Sequence, residues 1–360
     1  MSSILSVSKD FIARSVEETT WVHLDKNEFP EDIPQEIKEL VVMKLFTEPW
    51  NRYPQPNHLE IEKLIGQHLG IDEGHVVAVS GSVTLITTLI SHYYLQGRDI
   101  IFAHPSFAFY EYHCMTNQIP FSKWLLNDNL DYDPDLLPVI KKGSMVIFAS
   151  PNNPTGNILP IPVLESILEK NPETIFIADE VYFEYAGFSF EQLIYKYDNL
   201  LLIRSFSKTF SAAGVRLGYL LGNKALASTI RKLILPFSIN HFTIQFAKVI
   251  LQNEQLIYLF QEKLLRLVWE REAQYDILTR PEFQKFFSVK ESHTNFLLIR
   301  FFSEIEFHKV INHLEKSKIK VYNASMIPML ENCMRVSIGA HEENTRFNRA
   351  LSQALDIKSI

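Results

Sequence analysis

The 360-residue chain has little of what marks several protein classes. Its two cysteines, Cys114 and Cys333, are too few for a disulfide framework and fit a reducing cytoplasm. There is no CxxC pair and no run of closely spaced His and Cys, so no metal site is expected. A basic excess is also missing. The 35 Lys and Arg stand against 42 Asp and Glu, a formal charge of −7, which argues against nucleic acid as a partner. No apolar run approaches the roughly 20 residues that span a bilayer, so no membrane partner is expected. The opening MSSILSVSKDFIARS lacks a basic start followed by an apolar core and does not read as a signal peptide. Neither an internal repeat nor a low-complexity segment is present. What remains is an ordinary globular composition, expected in the cytoplasm and long enough for two domains.

What the chain does have is a series of short apolar runs alternating with helical patterns. The strand candidates are Val76–Val79, Ile100–Ala103, Met145–Ala149, Thr174–Ala178, Leu200–Ile203 and Val215–Leu221. Amphipathic segments such as Leu85–Leu95, Phe109–Thr116 and Pro162–Lys170 lie between them. Runs without polar alternation predict strands buried on both faces, hence a mostly parallel sheet covered by helices. After about Pro236 the texture changes to long helical patterns (Ile244 to Leu278, interrupted near Asn253). These are followed by strands at Phe296–Phe301 and Met334–Ile338 and helices at Glu306–Lys316 and Glu342–Leu355. The expected division is an arm and part of a small domain over 1–50, a large domain over 51–240, and a linking helix with the small domain over 241–360.

In parallel sheets of this kind ligands bind beyond the carboxyl ends of the strands, so the polar residues just after each run are the candidates. Val76–Val79 ends in Ser80-Gly81-Ser82, a small-residue turn opening a helix, which is either a plain cap or an anion site. After Ile100–Ala103 comes Phe107, a core residue or a platform for a planar ring. The loop Ser150-Pro151-Asn152-Asn153-Pro154-Thr155-Gly156 follows Met145–Ala149 and is rigid and shaped. The fourth run ends in Asp179-Glu180, with Tyr182 just beyond. A carboxylate there needs a cation or a donor, whether in a salt bridge or against a ligand. Finally, Leu200–Ile203 leads into Ser205-Phe206-Ser207-Lys208-Thr209, with Arg216 beyond. A lysine near apolar walls and a second cation has a depressed pKa and can attack a carbonyl. Hydroxyls with an arginine suit a phosphate. Together these groups are what pyridoxal phosphate chemistry uses.

The segments SFSKTFSAAGVRLGY, ADEVYFEY and SPNNPTG resemble those of the fold type I pyridoxal-phosphate aminotransferases. Within these the chain is most similar to the histidinol-phosphate aminotransferase branch, through LDKNEFP (Leu24–Pro30), NRYPQP (Asn51–Pro56), PSFAFY (Pro105–Tyr110) and CMRVSIG (Cys333–Gly339). The resemblance spans essentially the whole chain and implies a seven-stranded large-domain sheet. It further implies that Lys208 forms the Schiff base and moves the proton, while Asp179 pairs with the pyridine nitrogen. Asn153 and Tyr182 would bond the ring oxygen, and Phe107 would stack on the ring. The phosphate would be held by Gly81, Ser82 and Val83 backbone with Ser205, Ser207 and Arg216, and by Tyr53 from a neighbouring subunit, hence a homodimer. Arg335 would clamp the substrate carboxylate, with Asn27 and Tyr322 at the site. The implied reaction moves an amino group between an amino acid or amino phosphate and a 2-oxo acid such as 2-oxoglutarate.

Three positions depart from the branch's pattern. Val83 and Thr84 stand where it shows an acidic pair, and Tyr322 where it carries a phosphate-binding arginine. Tyrosine offers a hydrogen bond without charge, so Lys320 and Arg300 become the candidates for a replacement cation. Three other readings stay open. One is an amino-acid-phosphate decarboxylase like threonine-phosphate decarboxylase, and another is an aromatic amino acid aminotransferase. The third, a cofactor-sensing domain of a transcription regulator, is disfavoured because the first 50 residues are short and not basic.

Overall fold

The computed structural model of the chain describes residues 21–357. The signal-peptide reading and the first 20 residues of the expected arm lie outside them. The strands are β1 (Val22–Leu24), β2 (Val76–Val79), β3 (Ile100–His104), β4 (Phe121–Leu125), β5 (Met145–Ala149), β6 (Ile175–Asp179), β7 (Leu200–Ser205), β8 (Gly218–Gly222), β9 (Phe287–Lys290), β10 (Phe296–Phe301), β11 (Ile319–Asn323) and β12 (Cys333–Ser337).

Seven of them form one sheet in the order β2-β8-β7-β6-β5-β3-β4. Only β8 runs against its neighbours β7 and β2. Successive side chains of a strand point to opposite faces, and here both faces are packed. Val76, Ala78, Val146, Phe148 and Phe176 join one apolar cluster, while Val77, Val79, Ile147, Ile177 and Leu201 join another. That double burial is why these strands appear as unbroken apolar runs. The α/β class and the seven-stranded, mostly parallel sheet are therefore as expected.

Two details correct the sequence reading. The run Val215–Leu221 is a strand only from Gly218; before it lie a single helical turn (Ala213–Val215) and Arg216, whose φ is +61°. Strand β4 was not anticipated. It is the sheet edge, and of its five residues only Trp124 is buried.

The smaller sheet has the order β1-β11-β12-β10-β9, with β1 parallel to β11 and the other pairs antiparallel. Its core of Phe287, Phe296, Phe301 and Met334 packs with Phe307, Leu314, Phe347 and Leu351 from the helices Glu304–Lys316 and His341–Ala354. The long helical stretch is two helices, His241–Leu251 and Glu254–Leu278. Asn253 separates them because its side chain caps the second, accepting the Gln255 and Leu256 N–H groups. Among the described residues no helix is long and apolar enough to cross a membrane.

Candidate active site

The site grows from the carboxyl ends of β6 and β7. Asp179 is the last residue of β6, and it is buried. The Tyr110 hydroxyl donates to its Oδ2 at 2.7 Å, and the Val181 N–H to its Oδ1 at 3.2 Å. Burial outweighs these donors and pushes its carboxyl up to about 6. The adjacent Glu180 has another role. It is paired with buried Arg204 at 2.9 Å and accepts the Phe190 N–H at 2.6 Å, while Arg204 also reaches Glu191 at 2.8 Å. One acid of the pair is thus spent on the scaffold and the other is left for chemistry.

Lys208 lies in the loop after β7 and is half-buried, with Nζ donating to the Lys26 carbonyl at 3.0 Å. Burial, with the Arg335 and Arg216 charges, lowers its amine to about 8 against the opposing pull of Glu28. Near neutral pH an appreciable fraction is therefore uncharged and nucleophilic.

The hydroxyls and Arg216 meet a helix N-terminus. The helix Ser82–Leu95 opens from Gly81, whose φ is +79°; a Cβ there would lie 2.5 Å from Arg216 Nη2. Gly218 passes so close to the turn that a Cβ would sit 2.6 Å from the Ser82 nitrogen, and Gly218 is in register with Ser205. Ser205 Oγ in turn donates to Ser207 Oγ at 2.9 Å. Gly81, Ser82, Ser205, Ser207 and Arg216 therefore surround one small space, with the first N–H groups of the helix, including that of Val83, on its rim. Arg216 holds a left-handed backbone conformation, a costly one for a side-chain-bearing residue, of the kind that clusters at functional sites.

Arg335, on β12, is 7% exposed. It is in register with Tyr322 of β11 and Leu298 of β10. Its guanidinium carbon lies 4.5 Å from the Tyr322 ring centroid and 5.3 Å from that of Phe296. It donates to Asn153 Oδ1 and to the Asp25 carbonyl, while its buried Nε has no hydrogen-bond partner. Asn153 and Asn152 divide the work of their loop. Asn152 ties it to the neighbouring strand end by donating to the Pro105 carbonyl at 2.9 Å and accepting from Ser106 at 2.7 Å. Asn27, with φ +53°, donates to the Tyr182 hydroxyl at 2.9 Å and to Ser337 Oγ through its N–H, also at 2.9 Å. Burial pushes the Tyr182 phenol up to about 12, so it stays protonated. Phe107 is half-buried, its ring perpendicular to that of Tyr110 at 5.6 Å.

Tyr53 stands apart. It is 83% exposed, with its ring 5.0 Å from Phe237. Tyr110 and Ser337 do not stand out in the sequence as site residues. Tyr110 closes the PSFAFY segment, but inside an amphipathic helix it reads as a core aromatic. Arg300 donates to the Met329 carbonyl at 2.6 Å and lies 3.4 Å from Cys333 Sγ, and the Lys320 ammonium lies 5.4 Å from the Trp21 ring.

The donor set fits a phosphorylated aromatic aldehyde. There is an anion cradle with no room for a Cβ at Gly81, a buried acid at a strand end, and an amine that feels the charges of both Arg216 and Arg335.

Residues 19–351 match the profile of the family described as aminotransferase class I and II. A histidinol-phosphate aminotransferase of Aquifex aeolicus is 33% identical over 93% of this chain and 92% of its own length. Among solved structures, the histidinol-phosphate aminotransferase of Clostridium acetobutylicum superposes with a TM-score of 0.81 at 26% identity, covering 93% of this chain and 99% of that one. The Sinorhizobium meliloti enzyme of the same name, solved in complex with pyridoxal-5'-phosphate, shares the fold with a TM-score of 0.80 at 18% identity, over 93% and 90% of the two chains.

Proposed function

We propose, for a chain that belongs to the class I and II aminotransferase family, that Lys208 is the residue that binds pyridoxal phosphate and moves the proton, and that Arg335 clamps the substrate carboxylate. The chain is an aminotransferase of the pyridoxal-phosphate-dependent kind. One observation carries the assignment of roles. The Lys208 ammonium and the Arg335 guanidinium bond the carbonyls of successive residues, Lys26 and Asp25. An α-amino acid carries its amino carbon and its carboxylate one bond apart, so a nucleophile and a clamp that serve it must be neighbours in this way.

When bound, pyridoxal phosphate supplies an electron sink for charge developing at the substrate's α-carbon. Gly81, Ser82, Val83, Ser205, Ser207 and Arg216 would hold its phosphate, Asp179 its ring nitrogen, Asn153 and Tyr182 its ring oxygen, and Phe107 its face. Arg335 orients the substrate through a bidentate contact with its carboxylate, the two oxygens taking over the donors now shared with Asn153 and Asp25. Lys208 Nζ, uncharged above about pH 8, takes the proton from the α-carbon and would deliver it to the cofactor's aldehyde carbon. A carboxylate held by a buried guanidinium is retained rather than lost, and the relatives are named as aminotransferases; both favour transamination over decarboxylation. In this reading the large unit over 51–240 carries the cofactor residues, and the unit built from 241–360 with part of the first 50 carries the clamp.

The amino donor is proposed to be an amino acid or a histidinol-phosphate-like amino phosphate, with a 2-oxo acid as acceptor. With Arg300 tied to a carbonyl and Lys320 beside Trp21, Tyr322 faces the clamp without a second guanidinium at its own position. Tyr322→Arg is therefore expected to raise kcat/KM for histidinol phosphate about 10- to 100-fold, the range of a charge-assisted hydrogen bond. Aromatic amino acid donors should change by no more than a few-fold. Steady-state assays of both donor types decide this; no gain for the phosphate ester would show that Tyr322 does not border its phosphate.

A homodimer in the cytoplasm is proposed as well. Exposed Phe46, Trp50, Tyr53 and Leu235, at 72, 68, 83 and 71%, leave more apolar surface near the expected Tyr53 contact than a monomer usually shows. Light scattering is expected to return twice the chain mass, and a fully active monomer would remove Tyr53 from the phosphate site.

A further inference from the structure

The aminotransferase reading, on which this inference rests, assigns the side chain of Lys208 but not what fixes its backbone. That task falls to a residue outside the roles assigned so far. Tyr185 lies on the short helix Phe183–Ala186 and is 3% exposed. Its hydroxyl donates to the Lys208 carbonyl at 2.6 Å. The carbonyl of Tyr185 accepts from Arg271 Nη1 at 3.3 Å, and the same nitrogen donates to the Thr294 carbonyl at 3.0 Å. Arg271 belongs to the helix Glu254–Leu278, and Thr294 precedes β10. Next to Thr294, Asn295 donates to the Asn27 carbonyl at 3.0 Å, and the residue before Asn27 is Lys26, which holds the Lys208 ammonium. The contacts form a closed ring from the Lys208 carbonyl, through the small sheet, back to the Lys208 amine.

We propose that Tyr185 is a positioning residue that fixes the main chain of Lys208 and ties it, through Arg271 and Thr294, to the small sheet that carries Arg335. A lysine stem is a flexible chain of four carbons. Nζ can serve an attack and a proton transfer at neighbouring atoms only if its Cα stays in place, since an error near 1 Å costs on the order of 100-fold in rate. The phenol anchors that Cα through the Lys208 carbonyl. The Arg271 guanidinium, shared between the Tyr185 and Thr294 carbonyls, makes the anchor sensitive to where the small sheet sits. Glu184, beside Tyr185, accepts the Thr209 hydroxyl at 3.4 Å and so steadies the following residue.

Tyr185→Phe keeps the ring and removes the anchor. The first readout is Lys208 itself, in the full-length chain stripped of cofactor. Its acetylation by acetic anhydride, followed peptide by peptide across pH, is expected to show a midpoint near 8 in the unsubstituted protein. The midpoint should move upward in the variant as the freed amine reaches water. The second readout is kinetic: kcat about 10-fold lower, with KM for the amino donor within about two-fold. Arg271→Gln, which cuts the ring at its other side, is expected to move the midpoint in the same direction and serves if Tyr185→Phe does not fold. An unchanged midpoint in the folded variants overturns the proposal even if kcat or the melting temperature falls, because a merely structural role would lower those alone. If the unsubstituted chain transfers no amino group, the functional reading fails, and the acetylation profile still decides the role of Tyr185.

Discussion

Lys208→Ala is expected to lower kcat/KM for every amino donor by about 10⁴-fold, the upper range of a single positioned acid–base group. It should also abolish the borohydride-sensitive visible absorption of the purified enzyme. The two losses report separate duties of one nitrogen, holding the cofactor and carrying the proton, and a variant that kept either would break the assignment. The pH dependence follows from the amine's position near 8, lowered by burial and by Arg335 and Arg216. Below that pH the amine is charged and cannot accept a proton, so the rate should fall about tenfold per pH unit and level off above it. The same shift has a stability consequence whose sign is fixed. An unfolded lysine titrates near 10.5 and the folded one near 8. Between those values the unfolded chain binds more protons, so this group makes the fold more stable as pH rises through the window.

Asp179→Asn is expected to reduce kcat by about 10³-fold while leaving the melting temperature nearly unchanged. The amide oxygen can accept from the Val181 N–H in place of Oδ1, while the NH2 in place of Oδ2 donates to the Tyr110 hydroxyl, which can also accept, so the local geometry survives. What disappears is a negative charge at the end of β6, in a setting where preorganised electrostatics count for two to three orders of magnitude. Even pushed up to about 6, the native carboxyl is mostly ionised at neutral pH and can pair with a cation, which an asparagine cannot do. Single-turnover kinetics with cofactor bound is the measurement. A fall smaller than tenfold would move the electrostatic work to another residue.

The sequence makes the large sheet easy to read and the small one hard, for physical reasons. Strands such as Met145–Ala149 are buried on both faces and appear as continuous apolar runs. By contrast β1, β4 and β11 are short, lie at or near an edge, or are half-exposed, and the run IKVYN of β11 does not stand out. Asp179 and Lys208 are legible because a charge directly after a buried strand needs a reason. Arg335 is different: it sits inside the strand CMRVS and is recognisable only by likeness to other chains. Glu180 shows the limit of the rule, since the same position relative to a strand yields an internal ion pair with Arg204. Tyr110 and Tyr185 were invisible because their hydroxyl partners lie 69 and 23 residues away in the chain. Nothing local separates such a phenol from a ring that merely fills the core.

The pairing of β1 with β11 imposes an order of assembly. The first described strand completes a sheet whose other members are the last to leave the ribosome, so Asp25 meets Arg335, and Asn27 meets Asn295 and Ser337, only when the chain is nearly finished. A nascent chain that has emerged only as far as β8 already carries Asp179, Lys208 and Arg216, yet it lacks the Arg335 guanidinium and the strands β11 and β12 that seat Asp25. The residues proposed for the cofactor side are thus all synthesised before the proposed substrate clamp.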